Sequence, residues 1–203
     1  MVPTESSDAS PSADDESSDP RTQAIDRCVS LWEEMASTWG INRTMAKIHA
    51  LLYCVERPLN TDQIMERLGV SRGNANMNLR ALVEWDLVVK TQRDGSRKDY
   101  YRAEKDVWQI TARIIEERKR REVSPVRKRL QDCTDLLADE SNSIADRPED
   151  VQVLHRRLAN LIELLEVFEG VTEVLLPLVR QEDAAQIEQL VDFAKTLQNA
   201  NAK

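Results

Sequence analysis

Two short amphipathic helices followed at once by a β-hairpin occupy residues 61–103, and this order of elements constrains the fold more than any other feature of the chain. The first helix is expected to begin with Thr61 as its N-cap and to end at Gly69. Its apolar residues repeat at helical spacing, as Ile64, Met65 and Leu68. The second helix is expected to begin with Ser71 as its N-cap and to run to about Trp85. The stretch therefore predicts a helix, a tight turn and a helix.

The second helix has an apolar stripe and a polar outer face. The stripe is formed by residues that fall on one side of a helix: Ala75, Leu79, Leu82 and Val83. The outer face and its leading edge carry residues that can contact DNA: Arg72, Gly73, Asn74, Asn76, Met77 and Arg80. In the major groove, asparagine pairs with the edge of adenine and arginine with the edge of guanine. Asn78 lies nearer the stripe, where a structural hydrogen bond is expected.

Each of these polar residues, taken alone, also fits an ordinary solvated helix surface. Asparagine is nevertheless a poor helix former, and this helix has three within five residues. A helix surface that only had to be solvated would be more stable with Glu, Lys or Gln at these positions. The joint pattern therefore favours a surface that reads bases.

The hairpin consists of two β-rich runs, residues 87–91 and 98–101, separated by a turn at Asp94-Gly95. A helix-turn-helix followed directly by such a hairpin is the winged-helix arrangement. In it the second helix enters the major groove and the hairpin, or wing, lies along the DNA backbone. The wing residues expected to contact DNA are Arg93, Ser96, Arg97 and Lys98.

Positive charge is concentrated in this stretch although the whole chain has a net charge of −8. Residues 67–102 contain eight basic and four acidic residues, so the positive charge lies where phosphate would lie. The acidic balance of the rest argues against a general nucleic-acid coat. A second basic cluster, residues 113–129, is either a solvated face or an extension of the phosphate contact.

Three runs of the chain carry a resemblance to a known family; they read AKIHALLYCVERPLNTDQIMERLGVSRGNANMNLRALVEWDLV, GSRKDYYRAEKDVWQI and ERKRREVSPV. They closely resemble the GbsR/MarR family of winged helix-turn-helix regulators, over roughly residues 41–126. Named members are similar to repressors of genes for choline and glycine betaine uptake or synthesis. The chain has Asp86 where a glycine is more usual, and an aspartate tolerates a left-handed helix end.

The resemblance implies a sequence-specific DNA-binding transcriptional regulator, a repressor, that acts as a homodimer on a double-stranded DNA operator. It also implies a small effector such as choline or glycine betaine. Aromatic faces hold such cations, and the aromatic residues best placed for a pocket, where the wing meets the next helix, are Tyr100, Tyr101 and Trp108. The alternative function is a winged-helix module for protein–protein interaction, without base-specific DNA binding.

The expected fold is mainly α, with long helices forming a C-terminal dimerisation region. Residues 1–21 are predicted to be a disordered acidic tail, residues 22–104 the winged-helix domain, and residues 105–203 a helical linker and dimerisation region. Ser124-Pro125 is expected to be the N-cap and first residue of a new helix, or a kink. Helix breaks are expected at 142–150 and 181–183. A heptad-like seam contains Leu154, Leu158, Leu161, Leu165 and Phe168. Whether its partner helix belongs to the same chain or to a second copy is open.

Other classes of protein find little support in the sequence. No catalytic set or phosphate-binding loop is recognisable, so an enzyme is not expected. The three cysteines, Cys28, Cys54 and Cys133, have no metal-ligand spacing, so neither a metal nor a cofactor is expected. A reducing cytoplasm is the expected location. The sequence contains no long apolar run, so no membrane contact is expected.

Overall fold

Helices carry most of the chain, and a small antiparallel sheet accompanies them, so the mainly α winged-helix fold class is confirmed. The computed structural model describes residues 19–137, 144–181 and 184–201. The chain divides into two units, Met1–Glu104 and Lys105–Lys203. Most of the predicted acidic tail, residues 1–18, lies outside the described residues. Across the described ranges, no helix is both long enough and apolar enough to cross a membrane.

The first unit begins with two helices, α1 (Pro20–Thr38) and α2 (Arg43–Cys54). Asp19 caps α1 by accepting a hydrogen bond from the backbone N–H of Arg21. Residues 20 and 21, which the sequence assigned to the tail, therefore form the first turn of a helix. Proline is compatible with the first position of a helix, because the N–H that it lacks would have no partner within the helix there.

The helix-turn-helix consists of α3 (Thr61–Leu68) and α4 (Arg72–Glu84). Gly69 ends α3 in the left-handed conformation, with φ of 63°. Ser71 caps α4 as predicted, with its side chain accepting from the N–H of Asn74. The prediction that Thr61 caps α3 is wrong, because the N-cap is Asn60 and Thr61 is the first helical residue.

Asn60 caps α3 through a reciprocal pair of hydrogen bonds. Its Oδ1 accepts from the N–H of Gln63 at 3.0 Å, and its own N–H donates to Gln63 Oε1 at 3.0 Å. This capping box satisfies two N–H groups that the helix itself leaves without partners.

Replacing Asn60 with alanine is expected to lower the free energy of unfolding by about 0.5–2 kcal/mol, because a helix N-cap is removed. Urea unfolding followed by circular dichroism measures the effect, and Asn60→Asp, which retains an acceptor, is the matched control. Equal stability of Asn60→Ala and the parent would contradict the structural role of this cap.

The sheet contains three strands in the order β1-β3-β2, namely β1 (Leu59–Asn60), β2 (Val88–Gln92) and β3 (Asp99–Ala103). Strands β2 and β3 form the predicted hairpin, with Val88 opposite Ala103 and Gln92 opposite Asp99. Strand β1 was not predicted. It pairs antiparallel with the other edge of β3, directly before α3.

The core of the first unit lies between α2, α3, α4 and the sheet. Its largest fully buried side chains are Ile48, Leu51, Leu52, Ile64, Leu79, Leu82 and Val88. The predicted apolar stripe of α4 is confirmed at Ala75, Leu79 and Leu82. It is wrong at Val83, which is 39% exposed. One further residue along a helix turns by about 100°, which carries Val83 past the edge of the core.

All regular elements in the described part of the second unit are helical. This unit contains α5 (Val107–Arg118), a π-helical turn (Lys119–Val123), α6 (Ser124–Leu137), a 3₁₀ turn (Ile144–Asp146), α7 (Glu149–Arg180) and α8 (Ala184–Asn201). Of the predicted break at 181–183, residues 182 and 183 lie outside the described residues, and α7 ends directly before Gln181. Part of the predicted break at 142–150 lies outside the described residues; the rest contains the 3₁₀ turn and the start of α7.

Ser124 does not cap a separate helix, so the first of the two alternatives predicted for Ser124-Pro125 is wrong. Its backbone is helical, with φ of −61° and ψ of −38°, and the π-helical turn joins α5 to α6 without a break. A π-helical turn inserts an extra residue into the hydrogen-bond ladder. The Ser124 hydroxyl donates to Glu169 Oε1 at 2.7 Å, which ties α6 to α7.

Helix α7 packs against α5 and α6 with one face and leaves a second apolar face exposed. Ile162 and Thr172 are buried on the packed face, and Leu158 and Leu165 are half-buried. We call the exposed face the outer seam; its residues are spaced three, four or seven apart: Leu154, Leu161, Leu164, Phe168, Val171 and Leu175. The seam expected from the sequence therefore divides between two faces of this helix.

Candidate nucleic-acid interface

The outward face of α4 is the centre of the candidate interface. Arg72, Gly73 and Arg80 are exposed and Asn76 is half-exposed, while Met77 is 59% exposed. These residues lie opposite the buried stripe, as the sequence predicts, because the stripe holds the helix against α2. An exposed convex helix of this kind fits the width of the major groove.

Asn74 and Asn78 form a hydrogen-bonded pair at the inner edge of α4. Asn78 is buried, and its Nδ2 donates to Asn74 Oδ1 at 2.7 Å and to the Asn74 carbonyl at 2.8 Å. Asn74 in turn donates from Nδ2 to Thr44 Oγ1 on α2 at 3.1 Å. The structural hydrogen bond expected of Asn78 is confirmed. Asn74, predicted as a DNA contact, has its amide engaged within the protein and fixes α4 on α2.

The wing residues Arg93, Ser96, Arg97 and Lys98 lie in the loop between β2 and β3. The loop is stabilised from within, because the N–H of Ser96 donates to the Arg93 carbonyl at 3.0 Å. The N–H of Lys98 also donates to Ser96 Oγ at 3.1 Å. Gly95, with φ of 78°, supplies the left-handed residue that this turn requires. Arg93, Arg97 and Lys98 are exposed, whereas Ser96 is half-buried.

Ser96 also contacts Tyr100 at the base of the wing. The pKa of Tyr100 is lowered, first by its hydrogen bond with Ser96 and then by that with Asn60. On the neighbouring strand, Lys90 Nζ lies 2.8 Å from Asp99 Oδ2, and this ion pair raises the pKa of Lys90. The wing is thus connected to the sheet and to the cap of α3.

Asp62 joins the wing to α4, which the sequence analysis did not predict. Its Oδ2 accepts from Lys98 Nζ at 2.8 Å, and its Oδ1 accepts from Arg72 Nη2 at 2.5 Å. The pKa of Asp62 is lowered, first by the hydrogen bond from Lys98 and next by that from Arg72. The same bond to Asp62 raises the pKa of Lys98. Asp62 and Lys98 are therefore both charged near neutral pH.

The sequence offered a partial signal for Asp62. An aspartate in the first turn of a helix is favoured by the helix dipole, and that position was visible beside Thr61. Its two partners lie 10 and 36 residues away, and such separations cannot be read from local patterns.

The three aromatic residues predicted to form an effector pocket lie at different places. Tyr100 and Tyr101 are neighbours on β3, so their side chains point to opposite faces of the sheet. Trp108 lies in the second unit, in the first turn of α5, where its N–H donates to the capping Asp106 Oδ1 at 2.8 Å. All three are half-buried. Within the first unit, the two tyrosines therefore do not line one surface.

Residues 39–99 match the model of the MarR family. This match begins just before α2 and ends at the first residue of β3, so it covers the helix-turn-helix and most of the wing. Among solved structures, one described as a transcriptional regulator is 17% identical, with a TM-score of 0.52, and the alignment covers 78% of this chain and 99% of that one. At this identity the likeness bears on the fold alone.

Two regulators of Bacillus subtilis (strain 168) are similar in sequence. The HTH-type transcriptional repressor OpcR is 25% identical over 76 residues, 37% of this chain and 41% of OpcR. YvaV, which carries the provisional name of an HTH-type transcriptional regulator, is 24% identical over 87 residues, 43% of this chain and 49% of YvaV. The chain thus spans less than half the length of these curated relatives. The chain is thus similar to MarR-family proteins over residues 39–99 and to two bacterial transcriptional regulators over a comparable stretch.

Proposed function

We propose that this protein is a sequence-specific DNA-binding transcriptional regulator of the GbsR/MarR type, which acts as a homodimer. The observation that carries the proposal is the exposed outer face of α4, with Arg80 and Arg72 beside a basic wing, in a chain whose net charge is −8. Acidic proteins have no general affinity for DNA, so a local basic surface on a winged helix points to a specific contact.

In this proposal α4 enters the major groove and the wing lies along the backbone. Arg80 presents the donors for the O6 and N7 atoms of guanine, and Asn76 presents an amide for adenine. Arg93, Arg97 and Lys98 contact phosphate, and such contacts set the register of the protein without reading sequence. Ser71 lies at the N-terminus of α4, where backbone N–H groups also favour a phosphate. Thr61 lies in the first turn of α3, beside the carboxylate of Asp62.

The homodimer places two copies of α4 on one face of the duplex. The outer seam of α7 is proposed as its interface, because a symmetric contact buries an apolar stripe against its own copy. A repressing role is proposed from the similarity to OpcR, which is named a transcriptional repressor.

Selection of bound duplexes from a random DNA pool tests the proposal. The expected result is an inverted repeat whose half-site centres lie about one helical turn apart, roughly 34–36 Å, or a multiple of it. Arg80→Ala is expected to lose enrichment at one position in each half-site. A pool whose sequences stay random after repeated selection would contradict the proposal, whether or not the protein retains DNA.

A protein–protein interaction module is the second candidate. Met77, at 59% exposed, is an apolar side chain at the centre of the outer face of α4, where a partner protein could be anchored. This function predicts no enrichment of any sequence, so the same selection separates the two candidates.

The proposal extends to a small quaternary ammonium effector, choline or glycine betaine, held against the aromatic face of Trp108 in the first turn of α5. Binding is expected to change tryptophan fluorescence and to weaken operator binding by about 5- to 150-fold, the usual range of allosteric coupling. Trp108→Ala should abolish both responses, whereas Trp108→Phe should retain part of them because it keeps a ring face. An absence of any response of the parent protein to either compound would contradict this extension.

A further inference from the structure

We propose that Asp62 is a specificity-determining residue: it positions Arg72 and Lys98 for the operator and repels DNA whose phosphates are not in register. The inference rests on the proposed DNA-binding function and deepens it. Its basis is the bridge in which one carboxylate accepts from Arg72 at 2.5 Å and from Lys98 at 2.8 Å.

The position of Asp62 places its negative charge where DNA would come close. It is the second residue of α3, in the helical turn whose N–H groups favour an anion. In a winged helix the start of this helix and the wing both face the backbone of the duplex. Asp62 is 42% exposed, so its carboxylate is open to an approaching phosphate. A phosphate at this point therefore meets a charge of its own sign.

The bond to Asp62 also fixes the direction of Arg72. Only Nη2 of the guanidinium is engaged by the carboxylate, and the remaining donors of its planar fork can contact a base or a phosphate. Arg72 is 63% exposed, so without this partner its side chain would rotate freely in water. Ordering it before DNA arrives reduces the conformational entropy lost on binding. The gain applies only to a sequence that matches the fixed geometry.

The bond to Asp62 has a different consequence for Lys98. Its side chain is 60% exposed, and its ammonium already has a counter-charge within the protein. Contact with a phosphate then replaces one ion pair by another, so the net attraction of Lys98 for any DNA is reduced. Non-specific binding depends on such attraction almost entirely. Asp62 thereby lowers the affinity for arbitrary sequences more than the affinity for the operator.

The test compares Asp62→Asn with the parent on two duplexes of equal length, the selected operator and a scrambled sequence, over a series of salt concentrations. The asparagine side chain has nearly the same size, so circular dichroism and the melting temperature are expected to show an intact fold. Binding to the scrambled duplex should become tighter and binding to the operator should not gain in proportion. The ratio of the two affinities is expected to fall on the order of tenfold, about the discrimination of one base contact.

Two further variants separate the role of Asp62 from a general effect of charge. Glu66→Gln removes the same charge from an exposed position one turn along α3 and is expected to leave the ratio unchanged. Asp62→Glu retains a carboxylate and is expected to restore part of the ratio.

An Asp62→Asn protein whose ratio equals that of the parent would overturn the inference and leave the DNA-binding function standing. An equal fall in Glu66→Gln would overturn it as well, because the effect would then be one of charge alone. Equal affinity of the parent for both duplexes would overturn the proposed function itself, and the inference with it.

Discussion

Replacing Leu161 and Leu164 with aspartate is expected to convert the homodimer into monomers and to abolish operator binding. Both residues belong to the outer seam of α7, where they are 49% and 63% exposed within a single chain. Burial of one leucine contributes about 1.5–3 kcal/mol, and a two-fold interface buries each of them twice. A monomer presents one copy of α4 and cannot reach the second half-site.

Sedimentation equilibrium measures the mass of the variant, and a gel shift measures its operator binding. Arg156→Asp, an exposed position on the same helix outside the outer seam, changes the net charge by the same amount and should remain a dimer. An unchanged dimer mass in the double variant would move the interface elsewhere, for example to α1, where Leu31 is 58% exposed. A monomeric parent would contradict the homodimer.

Arg80→Ala is expected to weaken operator binding by about 1–3 kcal/mol in each half-site, the usual contribution of one arginine that reads a guanine, and a dimer has two half-sites. Its helix content should stay unchanged, because Arg80 is exposed on the outer face of α4 and contributes nothing to the core. Fluorescence anisotropy with a labelled operator at fixed salt measures the effect. If the variant bound the operator as tightly as the parent, Arg80 would not contact DNA.

Arg97→Ala is the matched comparison, since Arg97 lies on the wing and is expected to contact only phosphate. It should weaken binding to all sequences alike and reduce the salt slope by about one for each copy of Arg97, roughly two for the dimer. A change in sequence preference for this variant would instead mean that the wing reads bases.

Local chemistry made parts of the first unit predictable. Ser71 was recognisable as a cap because its hydroxyl acts on the third residue after it. Asp86 was expected at a left-handed helix end and has φ of 58°. The inner side of α4 followed from helical periodicity alone. Each of these features depends on residues within one or two turns of the chain.

Features that depend on distant residues were not predictable. Strand β1 was not predicted because its partner β3 follows some forty positions later. The same separation concealed the bridge from Asp62 to Lys98. Asn74 was expected to face DNA, but its bond to Thr44 requires knowing that α2 lies beside it. The cap at Asn60, by contrast, had a local signal that was missed, since Gln63 stands three residues after it as in a capping box.

Helix α7 illustrates a different difficulty. Its apolar residues are too numerous for one face, so periodicity alone could not divide them between an inner and an outer side. In the structure Ile162 is buried, whereas Leu161, the next residue back, lies on the outer seam. This division made Leu164 a better choice than the half-buried Leu158 for testing the interface.

The ratio of affinities of the parent protein for its selected operator and for a scrambled duplex of the same length tests the central claim most directly. Both are measured at the same physiological salt concentration, because affinity for DNA has no meaning without it. A sequence-specific regulator is expected to bind the operator at least about 10³-fold more tightly. Equal affinity for the two duplexes would contradict the assignment of α4 as a helix that reads DNA sequence.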